Sequence, residues 1–476
     1  MYCNKYTVII IFLWVVKVNI RRVKLMLKKM SVAAITLGCK VNQYETDSML
    51  EMLKQRGAHV VDFEEKADIY IVNTCSVTNI ADRKSRQMLH RAKKRNPEAI
   101  VVACGCYVQS AKDILEQDDA VDIVISNNKK KSIADVIIDY INVNKMQESR
   151  ADMGSKEKLE CFVDISKESS YEEMGIYTPA EHTRAYVKIQ DGCNQFCTYC
   201  IIPYVRGRIR SREPEAIIDE IGQLADAGIK EVVLTGIHIS SYGKDKNNEG
   251  AFIELIDSIT KIKGIKRVRL GSLEPGIITE EFVSRISSNS KVCPHFHLSL
   301  QSGCNTVLSR MNRKYTCEEY LEKCDMLRKA YNNPAITTDV IVGFPGETDE
   351  EFEETVRYLT ELNLYEMHIF KYSPRKGTVA AQMKNQIAPE IKNTRSDILL
   401  ELSDKNKRAY ESQFEGQELF VLVEEVVKKN GGTYLRGHTE RYMDVLVNVG
   451  DTPLPESFVG SFVYTRYTQN EEMYLM

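Results

Sequence analysis

The chain has 476 residues, 43% of them hydrophobic and 28% charged, so it is long enough for two or three domains that each bury a core. This composition excludes a disordered tail and a small disulfide scaffold. The 64 basic and 67 acidic residues leave a net charge of −3, which excludes a general attraction to nucleic acid, so any contact with a polyanion must come from local patches. Thirteen cysteines are too few for a disulfide framework, but their uneven spacing indicates metal or redox chemistry in a reducing cytosol.

Residues 1–30 form a basic and apolar extension. They contain seven basic side chains and no acid, around an apolar run over 6–16 that is shorter than the roughly 20 residues needed to span a bilayer. Its length suits a secretory signal, but no small-residue cleavage site follows it. We therefore expect a dispensable extension or an upstream start codon, with folding beginning near Met30. Nothing else in the chain resembles a membrane span, so we expect a cytoplasmic protein with no membrane contact.

The next segment alternates between short β-rich runs and helical stretches. The runs are 33–37, 69–73, 100–103 and 122–125, and the helical stretches include 47–56 and 80–95. This alternation predicts a parallel α/β sheet, which we assign to an N-terminal domain over 31–142. Residues 143–182 are polar and lack periodicity, so they are predicted to form a linker or extended insert.

A second α/β segment offers six candidate strands, each separated by a helical pattern. These strands are 184–190, 230–235, 266–270, 295–300, 336–342 and 365–371. Six βα units are fewer than the eight of a closed barrel, which predicts an open, partial TIM-type (β/α) barrel over 183–408. The tail, 412–475, changes to β-branched and aromatic runs punctuated by Gly and Pro, which predicts a small β-barrel or sandwich. The chain is thus expected to be a multidomain α/β protein.

Three cysteines directly follow the first strand of the predicted barrel, in a CxxxCxxC pattern. We call Cys193, Cys197 and Cys200 the radical set. A structural zinc site would need a fourth ligand, and no Cys or His lies between Cys200 and His238. Three thiolates on a 4Fe-4S cluster leave one iron able to bind the amino and carboxylate groups of S-adenosylmethionine. This spacing resembles the radical S-adenosylmethionine (radical SAM) superfamily. The resemblance implies a partial barrel and reductive cleavage of S-adenosylmethionine to a 5'-deoxyadenosyl radical.

Gly-containing or polar turns follow the other strands of the barrel, at the edge where parallel sheets build ligand sites. In the radical SAM superfamily, matching segments hold the amino group, ribose and adenine of the cofactor. Each turn alone could be an ordinary turn, but together they favour a cofactor rim. The candidate cofactor contacts are Thr235, Gly236, Glu274, Gln301 and Gly343, of which Glu274 and Gln301 are the preferred polar contacts.

A second set of cysteines lies in the N-terminal domain. We call Cys39, Cys75 and Cys106 the auxiliary set. Each lies just beyond a predicted parallel strand, so the three are expected to converge at one edge of the sheet although they are far apart in sequence. Three ligands again indicate a cluster with an open iron, able to carry an exogenous sulfur. Cys104 competes for the third place, but alternation along the strand favours Cys106 and makes Cys104 a small buried residue. Three unrelated buried thiols are the alternative.

The order of the two three-cysteine sets resembles that of the methylthiotransferases of the radical SAM superfamily. The resemblance covers nearly all of the chain from Ser31 onward. The tail resembles a TRAM domain. The resemblance implies two 4Fe-4S clusters: one S-adenosylmethionine methylates sulfur at the auxiliary set, and a second, at the catalytic cysteines of the radical set, forms the radical that permits sulfur insertion into an unactivated C–H bond. It also implies an electron donor such as flavodoxin or ferredoxin.

The expected substrate rests on two short segments. Residues 38–45 and 81–87 look like the branch that acts on threonylcarbamoyladenosine at position 37 of tRNA, which makes the tRNA anticodon stem-loop the expected partner. Sister branches act on isopentenyladenosine in tRNA or on an aspartate of a ribosomal protein. A radical enzyme with another product and a non-enzymatic iron-sulfur RNA-binding protein are the remaining alternatives.

Basic and aromatic residues supply the candidate nucleic-acid contacts. The helix over 83–95 holds seven basic residues and no acid, so it can grip phosphates or form a solvated face. Further candidates for phosphate contacts are Arg206, Arg208, Arg210 and Arg212. The tail is acidic, with ten acids against five basic residues over 412–476, which argues against a strong phosphate grip there. Its tyrosines are expected to stack on bases or to pack a core, and they are Tyr434, Tyr442, Tyr464 and Tyr467. His295 and His297 share one face of a strand, in the barrel lumen or as satisfied core histidines.

Overall fold

The computed structural model describes residues 27–148, 158–176, 183–450, 453–469 and 472–476. Contacts divide the chain into two units. The first comprises Met1–Ile176 together with the short segment Tyr204–Gly207, and the second comprises Tyr177–Pro203 and Arg208–Met476. Residues 1–26, most of the basic extension, lie outside the described residues. In the described part, no helix is long and apolar enough to cross a membrane.

The first unit is built on a parallel sheet, as its alternating pattern predicted. Its strand order is β2-β1-β3-β4-β5-β6, with helices between the strands. Both faces of the sheet are covered, because Ile69 and Ile71 enter one core while Tyr70 and Val72 enter the other. The strands are β1 Ser31–Thr36, β2 His59–Val60, β3 Ile69–Thr74, β4 Ile100–Gly105, β5 Ile123–Ile125 and β6 Leu159–Cys161. The helices are α1 Lys40–Gln55, α2 Asn79–Arg95, α3 Cys106–Ser110, α4 Lys112–Glu116 and α5 Ile133–Glu148.

Three boundaries of this unit differ from those expected. Leu27 is fully buried in a core beside the sheet, so packing begins before Met30. Helix α1 begins seven residues earlier than the predicted 47–56, because its first turns bury polar residues that hide the apolar periodicity. Part of the predicted linker 143–182 is regular structure: α5 runs into it, and β6 pairs with β5 in parallel.

The second unit begins with an open barrel, in agreement with the predicted partial (β/α) fold. Strands β10-β9-β7-β8 form one sheet and β11-β12-β13 another, and bridges at Val268–Val292 and Leu273–Leu298 join them. The strands are β7 Arg184–Asp191, β8 Arg210–Ser211, β9 Glu231–Gly236, β10 Arg267–Leu270, β11 His295–His297, β12 Ala335–Val342 and β13 Glu366–Lys371. The helices are α6 Ile202–Arg206, α7 Pro214–Asp226, α8 Ala251–Thr260, α9 Glu280–Ser287, α10 Asn305–Arg310, α11 Cys317–Ala330, α12 Asp349–Leu362, α13 Val379–Gln382 and α14 Pro389–Ser412.

The barrel strands have one apolar face and one polar face. On β12, Ile336, Val340 and Val342 join the apolar core shared with the surrounding helices. Thr337 and Asp339 alternate with these residues and therefore face the inner side of the barrel. Polar side chains on this inner side are free to serve a ligand instead of the core.

The tail folds into a small, nearly closed barrel, which confirms the predicted β-barrel. Its strands pair in the order β17-β14-β15-β16-β18, and a bridge between Thr465 and Leu475 brings the two ends together. The strands are β14 Glu418–Lys429, β15 Gly432–Thr439, β16 Asp444–Asn448, β17 Phe462–Arg466 and β18 Met473–Tyr474.

The small β-barrel of the tail packs against the amino-terminal ends of the strands of the partial (β/α) barrel. Buried charged side chains make this contact. Glu231, at the start of β9, is buried beside Arg269, which reaches it at 3.1 Å. Arg269 also donates to the backbone oxygen of Glu440 at 3.0 Å, and Arg267 donates to that of His438 at 3.1 Å. Because these donors and acceptors are paired, the burial of several charges at one end of the barrel is tolerated. The opposite end, where the strands finish, is left for ligands.

Candidate cluster and cofactor sites

The auxiliary set converges at one edge of the first unit, as its placement after parallel strands predicted. Cys75 follows β3 directly, Cys106 follows β4 directly as the first residue of α3, and Cys39 precedes α1. Strands β1, β3 and β4 are neighbours, so all three cysteines lie at their carboxyl ends. Cys39 and Cys75 both lie close enough to Cys106 for its charge to raise their thiol pKa values. The sheet thus gathers three thiols that are distant in sequence.

Two glycines make room for these thiols. Gly38 has a φ of +103°, and a Cβ there would lie 2.8 Å from Sγ of Cys75. Gly105 has a φ of +95°, and a Cβ there would lie 2.4 Å from the backbone oxygen of Thr74. Neither position accepts a side chain without strain or collision. The backbone is therefore shaped around the sulfur atoms.

Cys104 does not belong to this group. Its side chain is fully buried in an apolar core, and its Sγ lies 3.7 Å from the backbone oxygen of Val72. Burial raises the pKa of the Cys104 thiol to about 12, so it remains a neutral thiol. Cys104 lies within β4 and enters the core, whereas β4 ends at Gly105 and Cys106 begins α3 at the edge of the sheet.

A buried cation touches the auxiliary set. Arg206, in the segment Tyr204–Gly207 of the first unit, donates from Nε to Sγ of Cys106 at 3.3 Å. Its Nη2 donates to Oε2 of Glu45 at 3.0 Å, and Glu45 also binds Lys130. All three charged side chains are almost fully buried. Burial raises the thiol pKa values of Cys39 and Cys75, and the positive charge of Arg206 offsets only part of this effect.

The radical set occupies a tight loop after β7 in the second unit. Backbone N–H of Gln195 donates to Sγ of Cys193 at 3.4 Å, and Nη1 of Arg313 donates to Sγ of Cys197 at 3.2 Å. Between these cysteines, Phe196 has a φ of +49°, which is a rare conformation for an aromatic residue. Strained backbone of this kind occurs in loops that must orient particular groups, which here are the three cysteine sulfurs.

Burial determines the protonation state of several of these cysteine thiols. It raises the pKa of Cys75 and Cys193 to about 11 and that of Cys200 to about 12. At neutral pH these residues are therefore neutral thiols, whereas coordination to a metal deprotonates a thiol outright. Loading either site must release protons.

The number of thiols bears on which metal group each set can hold. A structural zinc site has four protein ligands, whereas each set supplies three. Three thiols match the protein ligands of a 4Fe-4S cluster that leaves one iron open.

Glu274 lies beside the radical set in a group of polar side chains. Its carboxylate accepts from Nε2 of Gln195 at 2.7 Å, contacts Nε2 of His238 at 3.1 Å and lies 3.8 Å from Arg313. Burial alone would raise the pKa of Glu274, but the hydrogen bond and charge of His238 and the charge of Arg313 outweigh it, so the pKa lies below its usual value. A half-buried carboxylate that stays ionised near Cys193 can bind an ammonium group.

The other predicted cofactor contacts occupy distinct positions. Thr235 and Gly236 end β9, and a Cβ at Gly236 would lie 3.0 Å from the backbone oxygen of Gln190. Gln301 has a φ of +80° and donates its N–H to the backbone oxygen of Asp339 at 2.9 Å. Gly343 lies in a turn in which its N–H donates to Oε2 of Glu347 at 2.6 Å. Of the five candidates, Glu274 is the one whose side chain the structure places among the groups around the radical set.

Several residues at these sites were not identified from sequence. The roles of Arg206, Glu45 and Lys130 arise from tertiary contacts between distant segments, which local spacing does not encode. Gln195 and Arg313 likewise contact the radical set from positions without a distinctive motif. For His238 a signal was present, because it follows the predicted turn at the end of β9.

The candidate nucleic-acid contacts are only partly available. On α2, Arg91 and Arg95 pair with Glu64, and Lys93 pairs with Asp122. The remaining exposed cations of this helix are Arg83, Lys84 and Lys94. Of the four arginines predicted to contact phosphates, Arg208 is exposed, whereas burial makes the other three unavailable: Arg206, Arg210 and Arg212. In the tail, Tyr434 and Tyr467 are buried, and Tyr442 stacks on His438 and His295, whereas Tyr464 is half exposed.

Comparison with known families assigns both cysteine regions. Residues 187–359 match the radical SAM superfamily, and residues 31–126 match a family described as uncharacterized protein family UPF0004. The chain is 40% identical over 447 residues to the threonylcarbamoyladenosine tRNA methylthiotransferase MtaB of Bacillus subtilis (strain 168), covering 94% of this chain and 96% of the relative. The chain belongs to the methylthiotransferase family. An MtaB of Aquifex aeolicus (strain VF5) is also 40% identical, over 87% of this methylthiotransferase and 96% of the relative.

A solved structure supports the fold of this methylthiotransferase. The radical S-adenosylmethionine methyltransferase TsrM from Kitasatospora setae, with tryptophan and a SAM analog bound, superposes with a TM-score of 0.51 at 16% identity, over 72% of this chain and 73% of that chain. At this identity the likeness concerns the fold alone. Family membership makes the chain a radical SAM enzyme.

Proposed function

We propose that this methylthiotransferase converts threonylcarbamoyladenosine at position 37 of tRNA to its 2-methylthio form in the cytoplasm. The observation that carries the proposal is the 40% identity, over nearly the whole of both chains, to a relative named for this reaction. The grouping of three cysteines within each unit supports the proposal.

In this proposal each set of cysteines holds one 4Fe-4S cluster. The auxiliary set is Cys39, Cys75 and Cys106, and the radical set is Cys193, Cys197 and Cys200. When bound, these clusters and S-adenosylmethionine supply the methyl group, the sulfur and the carbon radical that an unactivated C–H bond requires. An electron donor of the flavodoxin or ferredoxin class would deliver the electron.

The protein's own residues would orient the cofactor and the cysteine ligands. Glu274, ionised and half-buried, would bind the ammonium group of S-adenosylmethionine, since it is held in place by Gln195 and His238. Arg313 and Arg206 each donate a hydrogen bond to one cysteine sulfur, in the radical and auxiliary sets respectively, and so would hold it in position. Thr235, Gly236, Gln301 and Gly343 are proposed to form the remaining rim of the cofactor site.

The anticodon stem-loop of tRNA is the proposed macromolecular partner. Val77 and Ile80 follow Cys75 and are more than half exposed. Arg83 and Lys84 lie one turn further along α2 and are exposed as well. A surface that combines apolar and cationic side chains next to the auxiliary set suits a nucleic acid with unstacked bases.

Mass spectrometry of tRNA nucleosides tests the reaction. A strain that lacks the gene should lose the methylthio form of threonylcarbamoyladenosine and accumulate the unmodified nucleoside. Wild-type protein should restore the product, and Cys39→Ala should not, whereas Cys104→Ala should restore it as the matched control. Persistence of the methylthio form of threonylcarbamoyladenosine in the deletion strain would overturn this substrate. Loss of a methylthio group from isopentenyladenosine or from a ribosomal peptide would reassign it to a sister branch.

A further inference from the structure

A second kind of ligand cluster lies on the inner face of the partial barrel. His297, Asp339 and His368 come from the adjacent parallel strands β11, β12 and β13. Their ligand atoms all lie within 4.8 Å of one another, a property that, among the described residues, neither cysteine set shares. The proposed methylthiotransferase reaction uses none of these three side chains.

The strand register brings the three side chains together. Asp339 pairs directly with His368 across β12 and β13, and His297 pairs with Thr337, two residues before Asp339. Side chains two positions apart on neighbouring strands share one face, so all three point to the same side. Residues that alternate with them, such as Leu298, Val340 and Met367, enter the apolar core on the other face.

The geometry is that of a three-ligand metal site. Nε2 of His297 lies 3.4 Å from Oδ2 of Asp339. Ligands that bind one ion tetrahedrally at 2.0–2.1 Å are separated by about 3.4 Å, so this distance already matches an occupied site. The rings of His297 and His368 are stacked with centroids 5.7 Å apart, which leaves both close to the carboxylate.

A neighbouring hydroxyl orients the first histidine. Nδ1 of His297 lies 3.0 Å from Oγ1 of Thr337. If Nδ1–H donates to this oxygen, the lone pair of Nε2 faces Asp339, which is the tautomer that a metal ion requires. Metal-binding histidines generally use their second nitrogen in this way.

We propose that His297, Asp339 and His368 bind a divalent transition-metal ion such as Zn²⁺ or Fe²⁺. Two imidazoles and one carboxylate are a recurrent ligand set for such ions, and they leave coordination positions open. His368 is exposed and His297 and Asp339 are half-buried, so an ion can enter and an outside oxygen ligand can complete its shell. None of its three ligands belongs to either cysteine set, and the proposal does not depend on the proposed substrate.

Zinc binding to the cluster-loaded enzyme tests the proposal. Holoenzyme with both iron-sulfur clusters is equilibrated with Zn²⁺ alone, separated from free zinc, and assayed for zinc and iron by mass spectrometry. We expect about one zinc per chain in wild type and a loss of at least tenfold in affinity for His368→Ala and Asp339→Asn. His90→Ala, which removes an exposed histidine from α2, is the matched control and should keep the zinc. An unchanged iron content in every variant shows that it is folded.

X-ray absorption at the zinc edge identifies the ligands. We expect nitrogen and oxygen neighbours at about 2.0–2.1 Å with imidazole scattering and no sulfur at about 2.3 Å. Equal zinc in wild type and His368→Ala, or a sulfur shell, would overturn the site. Because zinc binding is measured without tRNA, failure of the zinc site would not affect the nucleoside analysis. Failure of the proposed tRNA substrate would likewise not affect the zinc measurement.

Discussion

Nε of Arg206 donates a hydrogen bond to Sγ of Cys106 at 3.3 Å, and the same guanidinium pairs with the buried carboxylate of Glu45. Through this contact, a residue that follows the radical set in sequence stabilises a ligand of the auxiliary set. The segment that contains it, Tyr204–Gly207, packs as part of the first unit.

Arg206→Gln should destabilise the first unit and weaken its cluster. Removing the guanidinium leaves buried Glu45 with one cation instead of two, which costs about 3 kcal/mol and lowers the Tm by roughly 6–12 °C. Thermal unfolding and iron content measure these effects. Arg91→Gln breaks only an exposed pair with Glu64 and should cost less than about 1 kcal/mol. Equal Tm values for the two variants would contradict this role.

Cys106→Ala and Cys104→Ala should separate a ligand from a core residue. Loss of Cys106 should reduce iron from about eight to about four atoms per chain, because one of two 4Fe-4S clusters is lost. Cys104→Ala removes only a buried sulfur, so it should retain all the iron and lose about 1 kcal/mol of stability. Iron analysis and electron paramagnetic resonance of the reduced proteins provide the test. Full iron in Cys106→Ala would show that another residue supplies the third ligand.

Glu274→Gln should weaken the binding of S-adenosylmethionine. A charge-assisted hydrogen bond contributes about 1.5–3 kcal/mol, so we expect an affinity at least about tenfold lower. Because the pKa of Glu274 is below its usual value, wild-type binding should not change with this group's protonation between pH 6 and 8. Titration calorimetry and the concentration dependence of 5'-deoxyadenosine formation measure the change. Glu254→Gln, an exposed residue of α8, is the control, and equal affinities in the two variants would exclude the contact.

Arg83→Ala/Lys84→Ala should weaken tRNA binding without affecting the clusters. These exposed cations lie at the end of α2 that follows Cys75, whereas Lys94 lies at the far end. We expect a roughly tenfold higher KM for tRNA and a salt dependence reduced by about two phosphate contacts. Filter binding at several salt concentrations measures both. Lys94→Ala should behave as wild type, and an equal loss in Lys94→Ala would indicate a diffuse positive face instead of a defined contact.

His438 should make stability fall on acidification. Burial, together with the positive charges of Arg184 and Arg269, keeps the pKa of His438 below its usual value of 6.5. On acidification the His438 imidazole therefore binds a proton in the unfolded chain but not in the folded chain. The free energy of unfolding is greatest above pH 6.5 and decreases below it. Between pH 7 and 5.5 we expect wild type to lose about 1 kcal/mol more than His438→Asn. Tm values across this range test it, and equal losses in wild type and His438→Asn would contradict it.

Sequence patterns predicted the three folded regions because each has its own periodicity. The apolar runs of β3 and β4 mark a sheet covered on both faces, and the β-branched runs after Ser412 mark the tail barrel. The positions of the auxiliary cysteines followed from the same pattern, since parallel strands end at one edge. Cys106 was preferred to Cys104 because of strand alternation and the Gly105–Cys106 pair. In the structure the difference comes from the end of β4 at Gly105, since residues two apart on one strand would share a face.

Other features could not be predicted because they depend on contacts between distant segments. Lys130 reaches Glu45 across the first unit, and Arg267 reaches the tail barrel. The start of α1 was missed because Asn42 and Glu45 are polar yet buried, which reverses the usual relation between polarity and exposure.

The position of Tyr204–Gly207 has a consequence for dividing the chain. These four residues belong to the first unit, while the residues on both sides of them belong to the second. A fragment that stops near residue 176 would lack Arg206, and a fragment that starts near residue 183 would carry it without Glu45 or Cys106. Neither fragment would be a self-sufficient domain. The two cluster sites are therefore expected to occur together in one chain and not as separately expressed domains.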